Sequence, residues 1–576
     1  MLLRYSFSLF TLLHLSIFTL FFVHFTVESQ SKFIQRDSLL DRTDVPKKIL
    51  ATSSVGGGSH LIPMLEILNI LVDRGYNVTL VAPGNFTAKS DSYRSIPQII
   101  VGDVVGTSIL NNDQELLKKI FLEDADFTTM VKSFDAELYT KFYNIYKRTA
   151  EEINVDLFFC DFAINDQCFD LAWQLEKPVV GFSSSPMFAT IQPPYKSDPV
   201  LGCHVTMENE SFYERFKCAI IKPLQFIKVF IKVLSSLNNQ RANLGVETHW
   251  NPRSRMDNIL FLFDTFFGFE PPAPKLPLHQ EIGPVLPDTY PDLTPALDSF
   301  LNAHPRTMYF SLGTNVFTSP QNIVILLNSC LELINQNNID GAIWATVKTN
   351  ITELMSFSNI DFPISDILNN NFPHIHITKF APQFAILSHE NTKVFLSQGG
   401  ISSSHESIYT ATPMLVLPIM GDQFGNAEKL ELAGIALRLS KFNLTVDDIV
   451  LKIKRLLNEE NFKKNSKRLS FVAKLNSKRK YRAADLIEMV INTMKYDGIK
   501  DDDGNLKINN NVLLKDWITA NTRMGFIRGN YIDVYGTFIV LFLTLIVGFI
   551  YACLKVNIFL YTWYKYRINN SKSKKD

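Results

Sequence analysis

The segment from Phe380 to Ala427 constrains the fold more than any other part of the chain, because strand-like and helix-like patterns alternate around a glycine turn. A run of β-branched and aromatic residues, Val394 to Ser397, ends at Gln398-Gly399-Gly400, and polar helix-starting residues follow at once. A second apolar run, Met414 to Pro418, comes next. Strands that alternate with helices in this way form parallel sheets, so the segment predicts an α/β fold.

The glycine turn is also a candidate binding site. A strand that leads through glycines into a helix presents free backbone N–H groups and the positive end of a helix dipole, which suit an anion. Asp422 and Gln423 follow the second apolar run, and ligands of open α/β sheets lie beyond the carboxyl ends of the strands. The spacing of Ser403 and Glu406 also matches a capping box, in which Glu406 would only serve the start of its own helix.

This segment resembles the donor-binding signature of the UDP-glycosyltransferase family, which includes the animal glucuronosyltransferases and the plant and fungal glucosyltransferases. The elements that match follow in the family's order: Phe380-Ala381-Pro382-Gln383, Leu387-Ser388-His389, Gln398 to Glu406, and Asp422-Gln423-Phe424-Gly425-Asn426. The resemblance implies a GT-B fold, in which two Rossmann-like domains face each other across a cleft.

The resemblance also implies roles for individual residues. Phe380 would stack on uracil, where the family often has Trp, and Gln383 would lie near the base and ribose. Glu406 would bind the ribose hydroxyls, and Asp422 and Gln423 would hold the sugar hydroxyls. The other donor-binding candidates lie at two glycine turns: Gly313, Thr314, Gln398, Gly399, Gly400, Ser402 and Ser403.

One residue departs from the family pattern, because Gln398 stands where the family has a phosphate-contacting His. A Gln amide donates a neutral hydrogen bond, and charge-assisted bonds from a histidine are roughly twice as strong. The exchange would cost about 1–2 kcal/mol of diphosphate stabilisation, or roughly tenfold in binding or rate. A weakened pseudoenzyme that binds nucleotide sugar or lipid is therefore an alternative, and a structural or receptor-like membrane protein is a third class.

The N-terminal half repeats the pattern of strand, glycine turn and helix. Lys48 to Thr52 predicts a strand, Gly56 to Gly58 a turn, Leu61 to Leu71 a helix, and Val78 to Val81 a second strand. By resemblance, His60 at this turn is the general base, although a lone His at a helix start is more often structural.

Asp161 follows another apolar strand, at the place where the family carries its catalytic Asp, and is the candidate that orients His60. The alternatives are that Asp161 caps the next helix, or that Asp156 or Asp166 takes its place. The mechanism predicted is inverting displacement at the anomeric carbon, with His60 taking the proton of an acceptor hydroxyl. The donor is expected to be a UDP-hexose or UDP-hexuronic acid that serves as co-substrate. The acceptor is expected to be a small lipophilic alcohol such as a sterol, lipid or xenobiotic-like compound, and neither cofactor nor metal is expected.

A chain of 576 residues is too long for one core, so two large domains with appendages are expected. We predict a signal peptide at 1–29, an N-terminal acceptor-binding domain at 30–270, a Pro-rich linker at 271–295, a C-terminal UDP-sugar-binding domain at 296–500, a juxtamembrane segment at 501–533, a transmembrane helix at 534–554 and a cytosolic tail at 555–576. The net charge of zero gives no electrostatic reason to expect nucleic acid as a partner. The sequence leaves open whether the protein forms a homo-oligomer.

Both ends carry targeting patterns. The apolar run from Leu9 to Val27 behind Arg4 predicts a signal peptide, with an uncleaved anchor as the alternative. Val534 to Leu554 is long enough to cross about 30 Å of hydrocarbon, and the basic residues after it predict a single-pass type I protein. The end, Lys572 to Asp576, resembles a dilysine retrieval signal for the endoplasmic reticulum, unless these lysines only fix the topology.

Three further features concern the luminal part of the chain. From about Ser197 to Val246 the chain becomes aromatic and amphipathic, which predicts part of the acceptor pocket and either a membrane contact or buried helix packing. Of the five cysteines before the membrane helix at least one is unpaired if the others bridge, and Cys203 with Cys218 is a candidate pair. The expected glycosylation sites are Asn85, Asn209, Asn350 and Asn443, whereas Asn77 is expected in a buried strand and unmodified.

Overall fold

The computed structural model describes residues 42, 45–88, 90–104, 136–189, 192–251, 253, 255–314, 316, 318–346, 364–502, 506–508 and 513–572. The predictions that concern the signal peptide, Asn350 and the terminal Lys574 and Lys575 lie outside these residues.

The N-terminal half forms one parallel sheet. Its strands are β1 (Lys48–Thr52), β2 (Asn77–Ala82), β3 (Gln98–Ile100), β4 (Leu157–Asp161), β5 (Val179–Ser183), β6 (Leu260–Phe263) and β7 (His279–Glu281). Its helices are α1 (Gly58–Asp73), α2 (Ala136–Ile153), α3 (Asp166–Gln174), α4 (Pro186–Ala189), α5 (Phe212–Phe216) and α6 (Lys222–Asn243). The strands lie in the order β3-β2-β1-β4-β5-β6-β7, and every neighbouring pair is parallel.

The C-terminal half forms a second parallel sheet. Its strands are β8 (Thr307–Ser311), β9 (Gly341–Ala345), β10 (Ile375–Thr378), β11 (Thr392–Ser397), β12 (Met414–Val416) and β13 (Ala436–Arg438), in the order β10-β9-β8-β11-β12-β13. Its helices are α7 (Pro295–Ala303), α8 (Pro320–Asn335), α9 (Ile364–Leu368), α10 (Gln383–Ser388), α11 (Ile401–Thr410), α12 (Gln423–Leu432), α13 (Val446–Asn458), α14 (Glu460–Asn476) and α15 (Arg479–Asp497). A small antiparallel pair, β14 (Ile499–Lys500) and β15 (Leu506–Lys507), follows.

Both strand orders are doubly wound, so the predicted fold of two Rossmann-like domains is confirmed. The chain order reverses between β1 and β4 in the first sheet and between β8 and β11 in the second. All four strands are buried almost throughout, as their apolar runs predicted. The carboxyl ends of these four strands are where such folds bind ligands, and His60, Asp161, Gly313 and Gln398 lie at or just after them.

The segment predicted as a linker is partly built into the first sheet, because β7 pairs with β6. The polar sequence His279-Gln280-Glu281 gave no apolar pattern by which this edge strand could be found. Later in the chain, the sequence from Lys463 to Arg482 is rich in basic residues, and it is divided between α14 and α15. The α15 helix returns to the N-terminal domain, where Lys480 binds Glu66 of α1 at 2.7 Å.

Two disulfides are present. Cys203 pairs with Cys218, as the sequence suggested, and Cys160 pairs with Cys168. Asn77 lies in a mostly buried strand, as predicted, but it is the first residue of β2 and its own side chain is exposed at that end of the strand.

The end of the chain contains α16 (Ala520–Arg523), α17 (Phe526–Gly529) and the long α18 (Ile532–Lys572). Within the part of the chain that the structure describes, one helix, Ile532–Ile568, has the length and composition to cross a membrane. It includes the whole predicted span from Val534 to Leu554 and continues beyond it.

Candidate active site

The topology brings His60 and Asp161 together. His60 lies in the first turn of α1, just after β1, and Asp161 is the last residue of the neighbouring strand β4. The imidazole Nδ1 of His60 lies 3.2 Å from Oδ1 of Asp161. With Nδ1 donating to the carboxylate, the Nε2 lone pair is left to accept a proton.

Asp161 is completely buried and is held by further donors. The hydroxyl of Ser53 donates to Oδ2 at 2.8 Å, and the backbone N–H of Ala163 donates to Oδ1 at 3.3 Å. Ser53 was not among the predicted site residues, because no local pattern distinguishes it from the other residues of the glycine-rich loop. Buried hydrogen bonds of this kind fix the orientation of the carboxylate.

The structure does not support the alternatives in which Asp161 caps a helix or Asp156 or Asp166 orients His60. The N-cap of α3 is Asn165, so the interpretation of Asp161 as a helix cap is wrong. Asp156 instead accepts hydrogen bonds from the backbone N–H groups of Lys47 and Lys48, and Asp166 pairs with Arg241.

The pKa of His60 is raised above its ordinary value of 6.5. Burial alone would lower this pKa, but the charge and hydrogen bond of Asp161 outweigh it, and the charge of Asp422 adds to them. Because Asp422 follows β12 in the other domain, its influence on His60 indicates that the two site halves face one another.

The second glycine corner, Gln398-Gly399-Gly400, joins β11 to α11. Gly399 adopts a φ of +81°, which glycine takes without strain. Gly400 is the N-cap of α11 and has no side-chain capping bond, so the capping-box interpretation of Ser403 and Glu406 is wrong. Intrahelical bonding begins with the N–H of Ser404, which donates to the Gly400 carbonyl at 2.9 Å. The N–H groups of residues 401–403, which include the half-buried Ser402, are thus not used by the helix.

Gln398 lies against both glycine turns. Its Oε1 accepts from the hydroxyl of Ser397 at 3.0 Å, and its Nε2 approaches Gly313 and Gly400 so closely that a Cβ on either would overlap it. Gly313 follows β8 with a φ of +77°, and the exposed Thr314 comes next. The amide nitrogen of Gln398 is therefore placed in the corner where the resemblance expects a diphosphate.

Glu406 and Gln383 form a pair beside this corner. Gln383 Nε2 donates to Glu406 Oε2 at 2.8 Å and to the Ser403 hydroxyl at 3.2 Å. Burial raises the pKa of Glu406 to about 7, although the bond from Gln383 opposes the shift. Phe380, three residues before α10, leaves 72% of its surface exposed and is open for stacking.

Asp422 and Gln423 lie where β12 leads into α12. The Oε1 of Gln423 accepts from the backbone N–H groups of Ile419 and Met420 at 2.9 and 3.1 Å, so its amide nitrogen is the group that can serve a ligand. Asp422 accepts from Asn426 Nδ2 at 2.8 Å. It is exposed at the cleft surface, yet enough protein surrounds it that desolvation raises its pKa.

A buried charge cluster behind α12 joins the domains and was not predicted. Glu270 binds Lys196 at 2.9 Å and Lys429 of α12 at 2.6 Å. Burial alone would raise the pKa of Glu270, but the two ammonium groups hold it at about 2. The carboxylate of Asp198 touches Gly425 in the first turn of α12. These contacts set the position of the helix that begins with Gln423.

The chain is similar to known proteins in sequence and in fold. Residues 204–498, just over half of the chain, match the family described as "UDP-glucoronosyl and UDP-glucosyl transferase". A UDP-glycosyltransferase of Talaromyces amestolkiae is 28% identical over 517 residues, which cover 86% of this chain and 95% of that protein. Human UDP-glucuronosyltransferase 1A6 is 24% identical over 451 residues, which cover 72% of this chain and 77% of that protein.

A solved structure shows the fold. The crystal structure of the glycotransferase of kitacinnamycin superposes with a TM-score of 0.54 at 19% identity, covering 77% of this chain and 98% of that one. The chain belongs to the UDP-glucuronosyl and UDP-glucosyl transferase family and is a UDP-sugar glycosyltransferase.

Proposed function

We propose that the protein transfers a hexose or a hexuronic acid from a UDP-sugar to the hydroxyl of a small lipophilic acceptor, with inversion at the anomeric carbon. The observation that carries this proposal is the pair of His60 and buried Asp161, electrostatically coupled across the cleft to Asp422. A base on one domain and a sugar-binding carboxylate on the other are what a single displacement requires.

In the chemical step, His60 Nε2 takes the proton from the acceptor hydroxyl while the oxygen attacks the anomeric carbon and the bond to UDP breaks. Asp161 keeps the imidazole in the tautomer that exposes Nε2 and stabilises the imidazolium that forms. Its burial strengthens this effect, because less water competes for the carboxylate.

The donor would lie across the C-terminal domain. Phe380 stacks on uracil, Glu406 accepts from the ribose hydroxyls, and Asp422 and Gln423 bind the sugar. The charge that develops on the leaving diphosphate is stabilised by the backbone N–H groups of residues 401–403, the turn at Gly313 and Thr314, and the amide of Gln398. UDP-sugar is a co-substrate in this scheme, and no step requires a metal.

We also propose that α18 crosses the membrane of the endoplasmic reticulum and that both catalytic domains are luminal. Its apolar composition and the basic residues near its end support a single-pass type I arrangement. Attachment to a bilayer suits acceptors that partition into lipid.

The test is transfer by the full chain in lipid nanodiscs. The protein is incubated with a panel of UDP-sugars and mixed lipophilic alcohols, products are found by mass spectrometry, and the anomeric configuration is determined by NMR. We expect the native protein to form a β-glycoside from an α-linked donor. We expect His60→Ala to lose this activity but still to bind UDP in calorimetry. Retention of the anomeric configuration would contradict the mechanism. UDP binding without any turnover would favour the alternative of a pseudoenzyme weakened by Gln398.

A further inference from the structure

A cluster of buried polar side chains lies beside the pair of His60 and Asp161. It joins three separate parts of the chain: the end of β1 with the loop after it, the start of α3, and the middle of α2. Buried polar groups are costly unless they are hydrogen-bonded, and a fully bonded network holds its members in one arrangement. The members of this buried polar cluster, each at most 3% exposed, are Thr52, Ser54, Tyr146, Asn165 and Gln167.

Asn165 is the centre of the buried polar cluster. Its Nδ2 donates to the backbone carbonyl and to the hydroxyl of Thr52, at 3.2 and 3.0 Å. Its Oδ1 accepts from the hydroxyls of Ser54 and Tyr146, at 2.9 and 3.0 Å. Gln167 adds a bond from its Nε2 to the Ser54 hydroxyl at 2.6 Å. Because both lone pairs of the Asn165 oxygen are used and its nitrogen has partners as well, these bonds define the orientation of the amide.

These bonds join the two loops that carry His60 and Asp161. The loop after β1 contains Ser53, whose hydroxyl donates to Asp161 at 2.8 Å, and it leads into α1 with His60. Asn165 follows Asp161 by four residues and binds the residues on both sides of Ser53. A displacement of Asn165 would therefore shift one loop against the other and lengthen the contact of 3.2 Å between the imidazole and the carboxylate.

The backbone before Asn165 indicates that this loop is held in place by its neighbours. Ile164 has a φ of +51°, a left-handed conformation that is unfavourable for a β-branched residue. Its side chain is 37% exposed, so burial of that side chain does not account for the conformation. Unfavourable backbone conformations persist where the surrounding contacts determine them. The four hydrogen bonds of the next residue, Asn165, supply that constraint.

Tyr146 closes the buried polar cluster on the side of α2. It has no exposed surface, and its ring packs against Phe142 with the ring centres 5.7 Å apart. Burial raises the pKa of Tyr146 and the charge of Asp161 adds to this shift, although hydrogen bonds within the cluster oppose it. The phenol therefore stays protonated and is a permanent hydrogen-bond donor to Asn165.

We propose that Asn165 and Tyr146 are positioning residues of the transfer reaction, which hold the loop of Asp161 against the loop of His60. This inference rests on the proposed role of His60 as the base. It adds a residue of α2, which contacts neither His60 nor Asp161 directly, to the groups on which proton transfer depends.

The test compares two tyrosines of the same helix in the full chain in nanodiscs. Tyr146→Phe removes the hydroxyl that donates to Asn165. Tyr143→Phe is the matched control, because Tyr143 is 1% exposed and its hydroxyl donates to Gln174, at the opposite end of α3 from Asn165. Each exchange removes one buried hydroxyl, so melting temperatures should fall by similar amounts. The pH dependence of kcat/KM, the kcat and the donor KM are then measured for both variants.

We expect Tyr146→Phe to lower kcat about three- to tenfold, the range that loss of a neutral hydrogen bond can produce, and to leave the donor KM unchanged. The acid limb of kcat/KM should move to lower pH, because a weaker contact with Asp161 lowers the pKa of His60. In Tyr143→Phe, kcat should stay within about twofold of the native value and the acid limb should not move. Asn165→Ala removes all four bonds, so it should shift kcat and the limb further in the same direction.

A Tyr146→Phe variant with the kcat of Tyr143→Phe would overturn the inference, as would a fall in kcat without any movement of the acid limb. Circular dichroism shows whether Asn165→Ala folds, and if it does not, Tyr146→Phe decides the question. His60→Ala separates this inference from the proposed function. If His60→Ala stays active, the proposed base is wrong; if it is inactive while Tyr146→Phe behaves like the native protein, only the positioning role is refuted.

Discussion

The exchange of Asp161 for Asn tests the proposed catalytic pair most directly, because it removes a charge and nearly preserves the volume of the side chain. In the native protein the buried carboxylate of Asp161 accepts from Nδ1 of His60 at 3.2 Å and from the Ser53 hydroxyl at 2.8 Å. An amide in its place can still accept one hydrogen bond, but it can no longer stabilise an imidazolium through charge.

The size of the effect follows from the geometry. Two unit charges 3.2 Å apart interact by about 5 kcal/mol at an effective dielectric constant near 20. The imidazole is 23% exposed, so solvent reduces this figure. A net loss of about 1.5–3 kcal/mol, typical of a hydrogen bond to a charged group, corresponds to a fall in kcat of about 10- to 200-fold.

The pH profile separates this role from simple destabilisation. His60 must be neutral to accept a proton. Because its pKa is raised above 6.5, native activity should rise as the pH passes through that raised pKa. Loss of the Asp161 charge lowers the pKa of His60, so the acid limb of kcat/KM should move to lower pH in Asp161→Asn. The matched control is Asp156→Asn, which breaks hydrogen bonds to the backbone at Lys47 and Lys48 and should lower the melting temperature without moving this limb.

The reasoning would be refuted by an acid limb that stays in place in Asp161→Asn together with a kcat within about threefold of the native value. Such a result would mean that the pair orients α1 without taking part in proton transfer. Circular dichroism of each variant shows whether the fold is retained.

Three further predictions concern the donor site and stability. Gly313→Ala should raise the donor KM about tenfold in steady-state assays, because a Cβ at this position displaces the Gln398 amide and the φ of +77° is strained for alanine. An unchanged KM would contradict the placement of that amide. The pKa of Glu406, about 7, predicts that UDP binds more tightly by calorimetry as pH rises through 7, since the carboxylate is the better acceptor; Glu406→Gln should bind with no such trend. The paired change Cys203→Ser and Cys218→Ser should lower the free energy of unfolding by about 3 kcal/mol in denaturant titrations, because the bridge closes a loop of 15 residues.

Local patterns predicted the elements that carry the site. The apolar run before Gln398 and the helix pattern after Gly58 correspond to β11 and α1, and the glycines fall at the turns. Both halves could be located in the sequence because the residues that form each of them are neighbours in the chain. The roles of Asp161 and Glu406 stayed open, since only the observed helix starts, with N-caps at Asn165 and Gly400, exclude the capping alternatives.

Contacts between distant parts of the chain left no such pattern. Glu270 binds Lys196 across 74 residues and Lys429 across 159 residues, and isolated charged residues of this kind resemble surface residues in a sequence. The bridge between Cys160 and Cys168 spans only 8 residues, yet it was not predicted, because it joins the end of β4 to α3 and depends on how α3 packs on the sheet. Packing of this kind is a property of the assembled domain, which periodicity does not reveal.

The return of the chain after α15 determines which half of the molecule is attached to the segment before α18. Arg74, the C-cap of α1, binds Glu488 of α15 at 2.5 Å, and Lys177 Nζ donates to the Leu506 carbonyl at 2.9 Å. The segment that leads to α18 is therefore attached to the half that contains His60. We therefore expect the half that contains His60 to keep its position relative to α18, so that any opening of the cleft would be a movement of the C-terminal half.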